Sequence, residues 1–377
     1  MRVLDLRASS RVAPPTVEAR ASAAAELLRL IGVLIARDPK DFDVGVERIE
    51  AVRAQVDPAL LAAASELGTL APPPGSDLPD RDDKFFLVLA VLGALLPEPA
   101  GVTQLLELLE QDPTLPWRAK LAHQAQELVD EPVGLLTRVL ADEEAALEEI
   151  EILAATERGA GLRQLLDRSP DDFGARVRQT VQRFATEVWP ALAAEAMGPI
   201  ERDTAHRRQQ LEATDDPAAV ALDATNGYEL EPEPAGRRVV LLPSYWLRPW
   251  LVINFLEAAP DGGRNQPLEV ISTAVADTFL ALPCEAPPPK LLKLFKALSD
   301  EGRLTLLRRM TPGPISLGEA ASELGVAKAT AHHHLSILRQ AGLVSVRDKG
   351  RATRYALRED PPKVAQDALA AYLQPWC

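Results

Sequence analysis

The chain has 377 residues, 47% of them hydrophobic and 25% charged, which predicts two or three folded domains at about 100–200 residues each and rules out wholesale disorder. Its net charge of −14, taken whole, argues against a nucleic-acid binder, because an acidic surface repels a polyanion. No apolar run reaches the roughly 18–20 residues of a membrane span, the first twenty residues lack the apolar core of a secretory leader, and Cys284 and Cys377 make no disulfide framework, so the expectation is a cytoplasmic protein with no membrane partner.

From about residue 16 to residue 214 the sequence reads as successive helices. Leu27, Leu28, Ile31, Leu34 and Ile35 recur at helical spacing, as do Leu105, Leu106, Leu108 and Leu109, with charges between them. Further helices are expected near 44–56, 58–67, 83–96, 117–130, 132–157 and 171–212. The breaks carry punctuation: APPPGSDLPD at 71–80, PEPAG at 97–101, and SPDD at 169–172, where Ser169 is placed to cap a helix with Pro170 in its first turn. No fixed-period repeat is visible. The abundance of Pro (32) and the excess of Arg over Lys are taken as coding bias and carry no function.

Between 226 and 285 the period changes. GYELEPE, RRVVLLPS, PWLVINFLE and LEVISTA are short β-branched and aromatic runs separated by turn residues, and they predict a small antiparallel sheet packed on the helical region. Tyr245, Trp246 and Trp250 form an aromatic cluster there. It either lines an effector pocket or partner surface, since aromatics dominate such sites, or closes the sheet over its helical layer, the commoner role. EAPPPK at 285–290 supplies a proline spacer, and the main domain boundary is placed at it.

The charge is not evenly spread. Residues 289–377 carry 14 Lys and Arg against 8 Asp and Glu, which leaves 27 against 47 for the rest of the chain. The same segment holds the most specific pattern. LLKLFKALSDEGRLTLLRRM offers two helices broken at Ser299–Asp300; SLGEAASELG offers a third, with Ser316 and Glu319 spaced as a capping box. A tight turn at 325–327 leads into KATAHHHLSILRQAG, a fourth helix with Ala331, Leu335 and Leu338 inward. LVSVRD, Lys349–Gly350 and RATRYAL then form a β-hairpin. This is the element order of a winged helix-turn-helix, whose second helix enters the major groove. The fold class expected is α+β, mainly α: helical residues 1–225, the sheet segment 226–285, and a winged helix at 289–377.

LFKALSDEGRLTLLRRM, ELGVAKATAHHHLSILRQAGLV and DKGRATRYAL resemble the ArsR-type winged-helix transcriptional regulators in order and spacing. The likeness covers about 85 residues and leaves 1–288 as a long extension. The resemblance implies a homodimer on double-stranded DNA with an operator of imperfect twofold symmetry, acting as a repressor relieved by an effector, here unknown.

Independently of the resemblance, the outward face of the fourth helix carries Lys328, Ala329, Thr330, His332, His333, Ser336 and Arg339. Lys328 suits a phosphate or a guanine edge, Thr330 a phosphate, and the histidines and Ser336 single hydrogen bonds to bases. Arg339 is the ideal bidentate reader, although far down the helix. Arg347, Lys349, Gly350, Arg351 and Arg354 make the wing, aimed at phosphates or the minor groove. His332, His333 and His334 in a row do not make a metal site, since neighbours point about 100° apart on a helix; His334 is expected on the inner edge, bonded to a backbone group. No metal and no cofactor is expected.

In the family the terminal helices form the dimer interface. By that resemblance Val364, Ala368, Leu369 and Tyr372 of the last helix, with Leu291, Leu294 and Phe295 of the first, would meet a symmetry mate, the alternative being packing on the chain's own N-terminal region. No phosphate loop, nucleophile elbow, dinucleotide fingerprint or zinc-protease motif occurs, so no enzyme is expected. The competing reading is a winged helix that docks protein within an acidic scaffold; four cations on one hairpin argue against it.

Overall fold

The computed structural model describes residues 14–70, 81–82, 85–126, 128, 135–140, 143–156, 159–230, 236–256, 267–280, 287, 289–347, 353–358 and 361–373. Strand β1 (Thr16–Ala19) leads into α1 (Ala23–Ile35), α2 (Val46–Arg53) and α3 (Pro58–Gly68). A two-stranded ladder of β2 (Thr69–Leu70) and β3 (Arg81–Asp82) follows, then α4 (Phe85–Leu89), α5 (Leu92–Leu95), α6 (Val102–Gln111), α7 (Leu115–Gln126), α8 (Leu135–Leu140), α9 (Glu144–Ala154) and α10 (Ala160–Leu166). The region continues through α11 (Pro170–Arg183), α12 (Trp189–Glu212) and α13 (Pro217–Ala224).

Helix α1 is apolar on nearly every side, and a helix of that composition must be central. Ser22 caps it by accepting from the Ala25 N–H, and ten of its thirteen residues are buried. Around it Leu27, Leu30 and Ile31 join Phe85, Leu105, Leu121 and Val177 in one large core. The expected 83–96 helix is divided into α4 and α5. The 171–212 stretch stays helical, but it widens into a π turn at Phe184–Val188. Pro190, at the start of α12, has no N–H to continue the ladder, which accounts for the widening just before it. Ser169 caps α11 from the predicted position, 3.3 Å from the Asp172 N.

The sheet has the order β1–β5–β7–β6, built with β5 (Arg238–Ser244), β6 (Val252–Leu256) and β7 (Leu268–Ala274). It is mixed where an antiparallel sheet was expected: β1 runs parallel to β5, β5 parallel to β7, and only β6 is antiparallel. The reason is that β7 inserts between the sequence neighbours β5 and β6, while the outer strand comes from residues 16–19. Both central strands are buried on both faces and alternate between two cores. Val240 and Leu242 of β5 face the large core; Val239 and Leu241 face a smaller one with Ala19, Ala221, Tyr228 and Ile271.

One buried polar cluster locks the sheet to α1. The Glu26 carboxylate accepts from the Tyr245 and Trp246 backbone N–H groups, each at 2.8 Å, and from the Ser244 hydroxyl at 2.7 Å. Arg29 donates to the Ser272 hydroxyl at 2.7 Å and to Glu26 at 3.4 Å. A buried ion pair is tolerated where hydrogen bonds compensate its desolvation; the Glu26 carboxylate is satisfied in this way, while the Arg29 Nε has no partner.

The C-terminal region is a winged helix: α14 (Pro289–Leu298), α15 (Glu301–Arg309), β8 (Ile315–Ser316), α16 (Leu317–Leu324), α17 (Lys328–Gln340), β9 (Val344–Arg347), β10 (Arg354–Leu357) and α18 (Pro361–Tyr372). Leu294, Leu306, Leu335, Leu338, Val344 and Tyr355 share its core. The expected boundary at 285–290 is not the whole division, because β4 (Tyr228–Glu229) pairs in parallel with β9 and extends the wing sheet to β4–β9–β10–β8. Asn226 donates to the carbonyls of Arg339 and Gln340, at 2.9 and 2.7 Å, and Val346 N–H donates to the Gly227 carbonyl at 2.7 Å. Gly227 has φ +105° and a Cβ there would stand 2.9 Å from the Val344 carbonyl oxygen, so the approach needs glycine.

Candidate nucleic-acid interface

The placement of α17 begins with the caps of the helices before it. Asp300 accepts from the Arg303 N–H at 2.9 Å and starts α15. Ser316 and Glu319 close the capping box of α16 reciprocally, at 3.2 and 2.7 Å. Gly325, at φ 65° and ψ 32°, ends α16 in the left-handed conformation and turns the chain into α17. Ala327, the residue before α17, offers no side-chain cap, so the first backbone N–H groups of that helix are left for an outside acceptor such as a phosphate.

Ala331, Leu335 and Leu338 are fully buried, as the period requires. Lys328, Ala329, Thr330, His332 and His333 are exposed on the opposite face, and Ser336 is half-buried behind them. The structure therefore brings the first two turns of α17 together as one polar surface. Arg339 is placed elsewhere. Its guanidinium turns towards the N-terminal region and donates to the Thr225 carbonyl at 2.9 Å, and burial holds its pKa below the ordinary arginine value. His334 sits on the inner edge, but its Nδ1 lies 3.5 Å from the Asp300 carboxylate and makes no hydrogen bond to a backbone group.

On the wing, Arg347 and Arg354 are exposed, and each is held by a carboxylate. Arg347 pairs with Glu229 of β4, with its Nε at 2.7 Å. Arg354 pairs with Glu319 at 2.8 Å. Ion pairs this exposed contribute little, so a phosphate can take either arginine. Lys349, Gly350 and Arg351 lie outside the described residues, as do Cys284 and Cys377. Among the described residues no group of three or more His, Cys, Asp or Glu is placed to hold a metal ion, and no helix is long and apolar enough to cross a membrane.

The aromatic cluster does not form one pocket. Trp246 is fully buried in the large core, between sheet and helices. Tyr245 borders a cavity of about 510 Å3 beside Glu195 and Arg248. Its hydroxyl donates to Glu195 at 2.8 Å, and burial together with that carboxylate pushes its pKa up to about 12. Trp250 borders a different cleft and donates its indole N–H to the Asp41 carbonyl at 2.9 Å.

The expected dimer residues separate as well. Leu291 and Leu294 are 5% and 2% exposed; Leu294 belongs to the core of its own domain, and α18 packs on α14 within the same chain. Val364 is partly buried against that core, Tyr372 is half-buried, and the side chain of Ala368 lies outside the described residues. Phe295 and Leu369 remain exposed, and the structure adds Leu292 and Leu373 to them. The i, i+3 spacing of Leu292 and Phe295 could have identified this outer face, since a helix with two apolar stripes can bury only one against its own core.

A helix-turn-helix domain model matches residues 298–347. The uncharacterized HTH-type transcriptional regulator YceK of Bacillus subtilis is 40% identical over 70 residues, 18% of this chain and 70% of that protein. The HTH-type transcriptional regulator CmtR of Mycobacterium tuberculosis is 37% identical over 78 residues, 21% of this chain and 66%, just under two thirds, of that protein. The transcriptional repressor SdpR of Bacillus subtilis is 34% identical over 20% of this chain and 81% of its own. Among solved structures, the transcriptional repressor BigR from Xylella fastidiosa is 31% identical, covering 23% of this chain and 88% of that one with a TM-score of 0.18.

Proposed function

The chain belongs, through its C-terminal domain, to the ArsR-type winged helix-turn-helix transcriptional regulators, and from this we propose that it is a dimeric repressor that binds a DNA operator of imperfect twofold symmetry and is released by an effector acting on its N-terminal region. The observation that carries the proposal is the first two turns of α17: uncapped, exposed, and presenting Lys328, Thr330, His332 and His333. The helix N-terminus and Lys328 take phosphates and set the register; the histidines and Ser336 read base edges. Arg347 and Arg354 exchange their carboxylates for the flanking backbone, with Lys349 and Arg351 beside them in the sequence. The acidic charge of residues 1–288 keeps the rest of the surface off the duplex and leaves the basic domain to make the contact. The dimer forms through Leu292, Phe295, Leu369 and Leu373, which the fold leaves exposed. No reaction is assigned to the protein.

Selection of bound sequences from random duplex DNA by the full chain, at two salt concentrations, tests this reading. The expected result is a palindrome with half-sites about one helical turn apart, bound less tightly at the higher salt. Binding without enrichment, or none, would overturn it in favour of a protein-docking winged helix.

A further inference from the structure

A cleft of about 780 Å3 lies where the N-terminal region meets the winged helix. Trp250 and Asp277 border it from one side; Arg339, in the last turn of α17, and Arg358, just beyond β10, border it from the other. Clefts of this size at domain junctions are where small organic molecules bind.

The charges on its walls decide which kind. Asp223 is neutralised by Arg207, Glu229 by Arg347 and Lys293 by Asp43. Arg339 and Arg358 differ from these. Each donates to one neutral acceptor, the Thr225 carbonyl at 2.9 Å and the Asn226 amide oxygen at 3.2 Å, and neither has a carboxylate partner among the described residues. They flank the same residue, because Asn226 accepts from Arg358 and donates to the Arg339 backbone carbonyl. A guanidinium has five N–H donors, and burying one without a counter-charge is costly. The remaining wall carboxylate, Asp277, stands on the partition with the smaller cavity, which it also borders. Trp250, its indole N–H anchored on the Asp41 carbonyl, supplies a flat apolar surface.

We propose that this cleft binds a small organic anion, its acidic group held by Arg339 and Arg358 and a flat apolar body lying against Trp250. The proposal deepens the regulator reading by naming the chemical class of the effector, and it rests on that reading only for its consequence. Arg339 belongs to the recognition helix, so a ligand held between it and the N-terminal region favours one placement of α17 over another, by as much as its affinities for the two placements differ.

The test uses the full chain without DNA and the aromatic sulfonate 8-anilinonaphthalene-1-sulfonate as a fluorescent probe. Arg339→Gln and Arg358→Gln should each weaken its binding about tenfold, the equivalent of one charge-assisted contact, and Trp250→Leu should weaken it through lost apolar contact, while Tyr245→Phe in the smaller cavity leaves it unchanged. Sodium 1-naphthoate should displace the probe at lower concentration than uncharged 1-naphthalenemethanol. Arg358 lies outside α17, just after β10, so its variant keeps the test informative if Arg339→Gln unfolds. Probe binding indifferent to Arg358→Gln and Trp250→Leu, or displaced equally by acid and alcohol, overturns the proposal. The two readings fail separately: a chain that takes the probe in the cleft but selects no DNA sequence removes the regulator reading alone, and one that selects an operator but shows no cleft-dependent binding removes the cleft alone.

Discussion

Two groups of residues act singly enough to be tested singly. On α17, Lys328 is a point charge at an uncapped helix start and His333 an exposed hydrogen-bonding ring one turn on. Lys328→Ala should weaken binding to every duplex alike and make the salt slope shallower by about one. His333→Ala should instead change the base preferred at one operator position, by about 1 kcal/mol in discrimination, the net worth of one hydrogen bond. Competition binding on operator variants separates the two, and identical profiles would refute the division of roles. In the N-terminal region the corresponding residue is Glu26, which holds two backbone N–H groups, a hydroxyl and Arg29 out of water. Glu26→Ala strands the Arg29 charge and should cost about 3–5 kcal/mol in unfolding free energy; a loss under 1 kcal/mol in denaturant melts would show that water reaches the pair. Neither Glu26 nor its partners stand out in the sequence, where a Glu and an Arg three apart on a helix read as surface.

Among the elements, the caps and the β4 splice decide how α17 is presented. The Asp300 carboxyl lies below its ordinary pKa because the Arg303 N–H donates to it, with the charges of Arg303 and His334 adding to the effect. A folded pKa below the unfolded one means the stabilisation is complete above about 3.9, the unfolded value, and is lost as pH falls through the folded value. Asp300→Asn keeps the cap and removes the charge. Its unfolding free energy should differ from that of the unsubstituted chain by a full, constant amount above about pH 4, the difference shrinking below that as pH falls through the folded value, whereas a constant offset across the whole pH range would count against the ionic contribution. At β4 the requirement is steric. Gly227→Ala places a Cβ at positive φ against the Val344 carbonyl and should cost about 1–3 kcal/mol of local stability. Because the Val346 N–H is donated to the Gly227 carbonyl, faster hydrogen exchange at Val346 is the expected readout, and unchanged protection would mean the splice adds nothing. The capping box and the helix-turn-helix were legible in the residues, since both depend on neighbours within four positions. The splice was not: the GYELEPE run reads as a strand of the 226–285 sheet, and nothing local says that Tyr228 and Glu229 instead pair with β9, more than a hundred positions away.

For the whole molecule, the arrangement is a basic DNA-facing domain joined to an acidic helical body through one strand, a few hydrogen bonds and a cleft. The exposed apolar residues Leu292, Phe295, Leu369 and Leu373 are on the winged helix. For the proposed dimer, Phe295→Asp should give a monomer in sedimentation and weaken operator binding with it, because two half-sites are then no longer bound together. A dimer that persists would place the interface elsewhere.

The sequence by itself determined what depends on local periodicity and composition: the helical body, the caps at Ser169 and Ser316, the inward face of α17, the basic C-terminal domain and the family it belongs to. Only the tertiary structure decided which long-range partners these elements take. It put β7 between β5 and β6, sent Trp246 into the core, buried Leu291 and Leu294, and drew Arg339 away from the exposed face of its helix towards a cleft. The physical reason is that helix and turn preferences act over a few residues, while strand neighbours, second apolar faces and buried charges are settled by which distant surfaces exclude water together.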